Sequence, residues 1–309
     1  MALAIQTQIP YDSLNQNFKS QNSTLLASTA ATFAANTRHT LNNMNEHQLT
    51  DKLDKLYLET REEYAPNPYR ISGCGKCTRT LGYQHVQWPG IPLTPRAIRT
   101  FSLGQAIHDE IQGLLVAHGH ASRLEEEVSI SIPLLEEYEG KDTLLTGHID
   151  GIYNAEDGDR VLEIKSSTEM GFYMFYRADK MGHMQANIDE TYQCQNVAYK
   201  KALSLPGTWL YYNKNTSALL AFDADDSTDA FYFYRIRQKY TALRRFIESG
   251  VEKPPESLRE FGPEKEKKYK KETGRLKLKW NCTYCAYVED CWPNTSLEFV
   301  SGKPVHYIV

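Results

Sequence analysis

Asp150, Glu163 and Lys165 are ionisable residues near the middle of the sequence whose types and spacing suit metal chemistry. Because side chains alternate between the two faces of a strand, Glu163 and Lys165 of the segment VLEIKSS are expected to share one face. Asp150 is predicted to lie on the partner strand of a hairpin, so the two carboxylates can meet. Two carboxylates suit Mg²⁺ or Mn²⁺. The amine beside them can orient or activate a water molecule, or neutralise the charge that develops on a phosphate.

A Glu-x-Lys pair on a strand is by itself more often a surface ion pair, so the residues around it matter. His108 is predicted on a helix face with Ile111, and Gly104 one turn earlier leaves space for close approach. A histidine there is either packed in the core or a further metal ligand. Gln195 and Tyr199 are spaced to share one face of a later helix, where they either pack or support the same site.

The predicted elements alternate between helices and strands. Helices are expected at residues 39–63, 101–119, 187–205 and 229–249, and strands at 128–132, 144–153, 161–167, 208–214 and 218–224. A turn is expected at 158–160, and 65–95 is expected to be loop-like. This order predicts an α/β protein with a mixed sheet flanked by helices. Neither a GxGxxG nor a GxxxxGK[ST] motif is present, which argues against a dinucleotide fold and a P-loop.

The order G-x3-H, D, E-x-K, Q-x3-Y resembles the PD-(D/E)XK nuclease superfamily. It is most similar to the RecB-like branch, which includes CRISPR-associated RecB-family exonucleases, AddB-type nucleases and many phage exonucleases. The resemblance covers roughly residues 70–293 and implies a restriction-endonuclease-like fold. It departs from the family name at one position, because Ile149 and not proline precedes Asp150.

The resemblance also implies roles for the motif residues. The metal, Mg²⁺ or Mn²⁺, would be bound by His108, Asp150, Glu163 and the carbonyl of Ile164. Lys165 would be catalytic together with the two acids. Gln195 and Tyr199 would support the site and contact DNA.

The six cysteines call for a separate explanation, because disulfides are rare in the reducing cytosol. The resemblance implies a 4Fe–4S cluster that clasps the N- and C-terminal segments together, held by Cys77, Cys282, Cys285 and Cys291. Cys77 is preferred over Cys74 because Arg79 and Tyr83 follow it in the family's pattern. The alternative is a zinc site, with ligands Cys74, Cys77, Cys282 and Cys285, which would leave Cys291 unexplained. Cys194 is expected to be a small buried apolar residue.

Charge and composition exclude some classes of protein. The net charge of −4 argues against nonspecific coating of nucleic acid, although a local basic groove is allowed. The segment 264–279 has eight Lys or Arg and three Glu, and is either a solvated linker or a strip that follows phosphates. The aromatic run at 172–176 either packs in the core or stacks on bases. No long apolar stretch or secretory signal is found, so a cytoplasmic protein of a bacterium or a phage-infected cell is expected, away from membranes.

These observations predict a Mg²⁺- or Mn²⁺-dependent deoxyribonuclease. The resemblance implies an exonuclease on single-stranded DNA ends, acting in DNA repair, recombination or phage DNA metabolism, with a helicase or recombination protein as a candidate partner. The alternatives are a non-catalytic nucleic-acid-binding or adaptor subunit of the same fold, and a zinc-stabilised nucleic-acid-modifying enzyme. The predicted organisation is a helical or loosely ordered arm at 1–63, a nuclease domain with its clasp at 64–300, and a tail at 301–309.

Overall fold

The computed structural model describes residues 48–60, 65–124, 126–180, 188–268, 271–300 and 303–309, with the side chains of 48, 175–180 and 268 left out. The chain forms two compact units, residues 1–60 and residues 61–309. In the first unit the described element is one helix, which agrees with the stripe of leucines predicted there. Those leucines, Leu49, Leu53 and Leu56, are exposed. The rest of the predicted N-terminal arm lies outside the described residues.

The secondary structure of the described residues alternates as expected. The helices are α1 (Gln48–Glu59), α2 (Thr78–His85), α3 (Pro95–Ala117), α4 (Glu169–Lys180), α5 (Glu190–Leu203), α6 (Asp229–Glu248), α7 (Trp280–Thr283) and α8 (Val288–Cys291). The strands are β1 (Ala121–Ser122), β2 (Val128–Pro133), β3 (Asp142–Gly147), β4 (Gly151–Ala155), β5 (Gly158–Ser167), β6 (Gly207–Asn213), β7 (Leu219–Asp223), β8 (Pro263–Lys268), β9 (Lys271–Leu278), β10 (Thr295–Val300) and β11 (Lys303–Ile308).

A five-stranded mixed sheet lies at the centre of the second unit, in the order β1-β4-β5-β6-β7. Strands β5 and β6 are parallel, and the remaining pairs are antiparallel. Helices α3, α4 and α5 pack against β5, and α6 packs against α5. The prediction of an α/β protein with a mixed sheet flanked by helices is therefore confirmed.

Strand β5 is buried without interruption from Val161 to Ile164. An uninterrupted buried run is expected for a central strand that is covered on both faces. Its parallel neighbour forms where α5 ends at Ser204 in the left-handed conformation, which lets the chain turn into β6. The main core fills the space between α5, α6 and strands β2 and β3, and contains Cys74 and Cys194. The expectation that Cys194 is a buried apolar residue is thus confirmed.

The predicted strand 144–153 is wrong as a single element. Strand β3 ends at Gly147 and pairs with β2 in a separate two-stranded sheet, whereas β4 begins at Gly151 and pairs with β5. The chain therefore changes sheets over residues 148–150, and Asp150 lies just before a strand rather than on it. The turn predicted at 158–160 lies instead at 156–157. The loop predicted at 65–95 contains α2.

The basic segment 264–279 is not an irregular linker where it is described. It forms the antiparallel hairpin of β8 and β9, with cross-strand ion pairs from Lys265 to Glu272 at 2.9 Å and from Lys277 to Glu264 at 3.1 Å. The strands β10 and β11 extend this hairpin to a four-stranded sheet in the order β10-β11-β9-β8. Residues 303–308 of the predicted tail are thus part of a sheet. Within the described ranges, no helix has the length and apolarity needed to cross a bilayer.

Candidate functional site

Four of the side chains singled out from the sequence meet at one place, beside the middle of β5. His108 reaches across from α3, and its Nδ1 lies 3.3 Å from Asp150 Oδ1. The other oxygen of Asp150 accepts a hydrogen bond of 2.6 Å from the backbone N–H of Ile164. On either side of Ile164 in β5, Glu163 and Lys165 form an ion pair with each other. An imidazole, two carboxylates and an amine therefore share one site.

Glu163 is the most deeply buried acid of this group, with 1% of its side chain exposed. One carboxylate oxygen pairs with Lys165, and the other, Oε2, is buried without a hydrogen-bond partner in the described part of the chain. Burial is the largest influence on the pKa of Glu163 and raises it to about 7, while Lys165 opposes the increase and Asp150 adds to it. A buried carboxylate oxygen without a partner is costly, so this atom is suited to a ligand.

Lys165 is the more exposed partner of this ion pair, with 15% of its side chain exposed. Burial alone would lower the pKa of Lys165, but the carboxylates of Glu163 and Asp150 outweigh it and raise the pKa. The ammonium therefore stays charged at neutral pH. It also lies 4.8 Å from the centre of the Tyr192 ring, over its face.

A residue of α5 forms a hydrogen bond with the backbone just before Asp150. The hydroxyl of Tyr199 donates a hydrogen bond of 2.7 Å to the carbonyl of His148, two residues before Asp150. Tyr199 is 1% exposed, and burial raises the pKa of its hydroxyl. Its oxygen lies so close to Gly147 that a Cβ at that glycine would be 2.5 Å from it. Tyr199 thus holds the backbone of the segment that leads to Asp150.

Two further predicted residues take less direct positions. Gln195 is 9% exposed and lies one turn before Tyr199 on α5. Gly104 faces β5, but a Cβ there would lie 3.7 Å from Ser166 Oγ, which is an ordinary contact. Close approach of α3 therefore does not require glycine at position 104.

The chemical types of the residues at this site suit a divalent ion. No three His, Cys, Asp or Glu side chains of the described residues stand together as a metal-binding cluster. The donor set nevertheless contains hard carboxylate oxygens from Asp150 and Glu163 and one imidazole from His108. The buried Oε2 of Glu163 is the atom whose desolvation an ion would offset most.

The four cysteines of the predicted clasp line one cavity of about 660 Å³, formed by Cys77, Cys282, Cys285, Cys291 and other residues. All four are free thiols. Burial, followed by the nearby thiols of Cys285, Cys77 and Cys291, raises the pKa of Cys282 to about 12. These neighbouring thiols disfavour the thiolate of Cys282, and a bound cation would favour it.

Residues of α2 contact this group directly. The Nη1 atom of Arg79 lies 3.2 Å from Cys291 Sγ, and the Thr80 hydroxyl lies 3.5 Å from Cys285 Sγ. Residues from the start and the end of the second unit are therefore joined here. Cys74 is not among the residues that line the cavity, because it is fully buried in the main core with Cys194. The zinc alternative needs Cys74 as a ligand and is not favoured by this placement.

Some residues near the site were not singled out from the sequence. Tyr192, Trp280 and Tyr284 are exposed aromatic residues that line the same cavity. The available signal was the segment WNCTYC, in which two aromatics alternate with the predicted ligands. The aromatic run at 172–176 is divided, since Phe172 packs with Trp209 in a second core cluster while residues 175 and 176 lie outside the described side chains.

Comparison with known proteins identifies similar structures but no family. The chain matches no family model and no curated protein. A crystal structure of SSO0001 is 16% identical, covers 78% of this chain and 95% of its own, and has a TM-score of 0.41. An alkaline exonuclease (LHK-Exo) from Laribacter hongkongensis is 12% identical, covers 64% and 95%, and has a TM-score of 0.37. The same LHK-Exo in complex with dAMP is 13% identical, covers 59% and 94%, and has a TM-score of 0.36. Similarity at these TM-scores does not establish an activity, so the function is inferred from the residues of the site.

Proposed function

We propose that this protein is a metal-dependent nuclease that hydrolyses phosphodiester bonds of DNA. The observation that carries the proposal is the meeting of His108, Asp150, Glu163 and Lys165 beside β5, with one buried oxygen of Glu163 that has no partner among the described residues. Such an arrangement is costly to bury and has a chemical use at a phosphate. A structural ion pair alone would need neither the imidazole nor the second acid.

The proposed ligands of Mg²⁺ or Mn²⁺ are those that the family resemblance implies. His108, Asp150, Glu163 and the carbonyl of Ile164 would hold the ion. When bound, the ion supplies a more acidic water molecule and stabilises negative charge on the phosphate. Lys165 stays charged and is oriented by Glu163, so it positions the attacking water or balances the charge that develops.

Gln195 and Tyr199 complete the proposed site from α5. Tyr199 holds the carbonyl of His148 and so fixes the direction from which Asp150 enters. Gln195, one turn earlier, would support the site or contact DNA, as the family resemblance implies. In this proposal the two residues orient the backbone or the substrate, and neither transfers a proton.

Incubation of end-labelled DNA with Mn²⁺ or with EDTA tests the activity. We expect Mn²⁺-dependent degradation by the wild-type chain, and its loss in Lys165→Ala and Glu163→Gln with the circular-dichroism spectrum unchanged. Lys303→Ala, at an exposed position of β11, is the matched control and should cut normally. Undiminished cutting by Lys165→Ala would exclude the proposed mechanism.

The preferred mode is exonuclease action on single-stranded ends. Release of mononucleotides from linear single strands, with circular single strands left intact, would support it. Cutting of circles would replace it with an endonuclease. The proposed settings are DNA repair, recombination or phage DNA metabolism, in the cytoplasm and beside a helicase or recombination partner.

A 4Fe–4S cluster is proposed for the cavity that contains Cys77, Cys282, Cys285 and Cys291. Four free thiols around one cavity, with α2 and the α7–α8 segment contributing to it, support this ligand set. When bound, a cluster would join the two segments and add its binding energy to folding.

Protein purified without oxygen tests the cluster by its visible spectrum and its iron and zinc content. We expect a brown protein with iron, and loss of that iron in Cys77→Ser. Cys194→Ser is the matched control because that thiol is in the core. A colourless protein with zinc would remove the cluster and leave the nuclease proposal standing.

The second candidate function is a non-catalytic DNA-binding or adaptor subunit with the same fold. It predicts DNA binding without Mn²⁺-dependent cutting of any substrate. The unpartnered oxygen of Glu163 argues against it, because a binding module gains nothing from an uncompensated buried acid.

A further inference from the structure

Three exposed aromatic side chains line the cysteine cavity: Tyr192 is 41% exposed, Trp280 60% and Tyr284 64%. Exposed rings of this size are normal when they are scattered, but a group around one concave surface indicates a binding site. The cysteines of the proposed cluster line the same cavity. The aromatic side chains remain available to a ligand from outside.

The elements that carry these rings are joined to each other. Trp280 and Tyr284 are four residues apart around one helical turn, in which the Tyr284 N–H donates to the Trp280 carbonyl at 3.3 Å. They therefore share a face. Between them, the Asn281 amide donates a hydrogen bond of 3.4 Å to Asp189. Asp189 is the N-cap of α5, the helix on which Tyr192 lies in the first turn.

Tyr192 connects this aromatic surface to the proposed reaction site. Its ring lies 4.8 Å from the Lys165 ammonium. A chain that crosses Trp280, Tyr284 and Tyr192 would reach the amine that is proposed to act on the phosphate. The surface and the reaction site are thus adjacent.

We propose that Trp280, Tyr284 and Tyr192 form a base-stacking surface for single-stranded DNA that leads to Lys165. The occupant follows from the chemistry of the surface. Aromatic rings stack on bases of any sequence, and a cation at one end suits a phosphate. Bases in a duplex already stack on both sides, so the surface selects a single strand. This inference rests on the proposed nuclease function for its substrate, and it names the part of that substrate which the surface holds.

Binding of a short fluorescein-labelled oligothymidylate to the full chain tests the proposal, in buffer without added divalent ions so that nothing is cut. Loss of one base–aromatic stack is worth about 1–3 kcal/mol, so we expect Trp280→Ala and Tyr284→Ala each to raise the Kd by about 5- to 150-fold. Trp280→Phe should restore most of the affinity. Binding of a blunt duplex of mixed sequence should change little in every variant.

Phe299→Ala is the matched control. This residue is 70% exposed on β10 and is not among those that line the cavity. Its loss should leave the Kd for the oligothymidylate unchanged. A wild-type Kd in both Trp280→Ala and Tyr284→Ala would overturn the proposal, as would an equal loss of single-strand and duplex binding.

The two proposals fail differently. A chain that cuts DNA with Mn²⁺ while its aromatic variants bind like the wild type lacks the stacking surface but is still a nuclease. A chain that cuts nothing, yet loses oligothymidylate binding in these variants, keeps the surface without the nuclease function. Absence of any binding by the wild type would also refute the surface.

Discussion

The hydrogen bond from Tyr199 to the segment before Asp150 should determine where Asp150 lies in the proposed metal site. Tyr199→Phe removes the 2.7 Å hydrogen bond that the buried Tyr199 hydroxyl donates to the His148 carbonyl. This should lower the free energy of unfolding by about 0.5–1.5 kcal/mol. Gly147→Ala should disturb the same contact, because the new Cβ would lie 2.5 Å from the Tyr199 oxygen and 3.1 Å from Ile71 Cβ. Forcing a methyl group into this space should cost about 1–3 kcal/mol.

Combining the two substitutions tests whether the Tyr199 hydroxyl and the new Cβ compete for the same space. Without the hydroxyl, the nearest atom of the ring to the new Cβ is Cζ, at 3.3 Å, so most of the clash disappears. We therefore expect Gly147→Ala with Tyr199→Phe to be more stable than the sum of the single effects by about 1 kcal/mol or more, as found for side chains in direct contact. Each single variant should also lose Mn²⁺-dependent cutting, since both disturb the approach of Asp150.

Urea unfolding followed by circular dichroism measures all four proteins of this cycle. A matched control is Gly113→Ala, at a glycine of α3 where a Cβ meets nothing within 4 Å. That variant should be slightly stabilised by helix propensity, by about 0.5–1 kcal/mol. Effects of Gly147→Ala and Tyr199→Phe that add within about 0.5 kcal/mol would refute the argument that the two atoms compete for one space.

Three further changes test other parts of the second unit. Gly75→Ala should destabilise the chain by about 1–3 kcal/mol in urea unfolding, because its Cβ would lie 2.5 Å from a backbone atom of α5. Glu260→Gln should cost about 3 kcal/mol, since it removes a charge that pairs with the buried Lys239, and the added change Lys239→Met should recover part of the loss. Arg245→Ala should return the pKa of Glu137 from about 2 towards its usual 4.5, as measured by NMR of the side-chain carboxyl. Because that folded-state pKa is lowered, the pair stabilises the wild type above about pH 4.5 and is lost as the pH falls towards 2.

Much of the candidate site could be predicted from local spacing. Glu163 and Lys165 share a face because a strand alternates, and their ion pair is the result. His108 lies on the inner face of α3 because the apolar residues around it repeat with the period of a helix. These rules need only a few neighbouring residues, so one sequence is enough to apply them.

The position of Asp150 could not be predicted in the same way. The run 144–153 has strand composition throughout, but it is divided between two sheets. That division is fixed by contacts distant in the sequence, including Tyr199 with His148. The hairpin of β8 and β9 could not be predicted for a related reason. Its alternating Lys and Glu residues look like a solvated linker until their cross-strand partners are known.

His108, Asp150 and Glu163 are proposed to bind one catalytic divalent ion. Anomalous X-ray diffraction from crystals soaked in Mn²⁺ locates that ion directly. We predict a Mn²⁺ peak within coordination distance of the Glu163 Oε2 atom and of Asp150, which is absent from crystals of the Glu163→Gln variant. A chain that degrades DNA with Mn²⁺ while its only Mn²⁺ peak lies elsewhere would contradict the account.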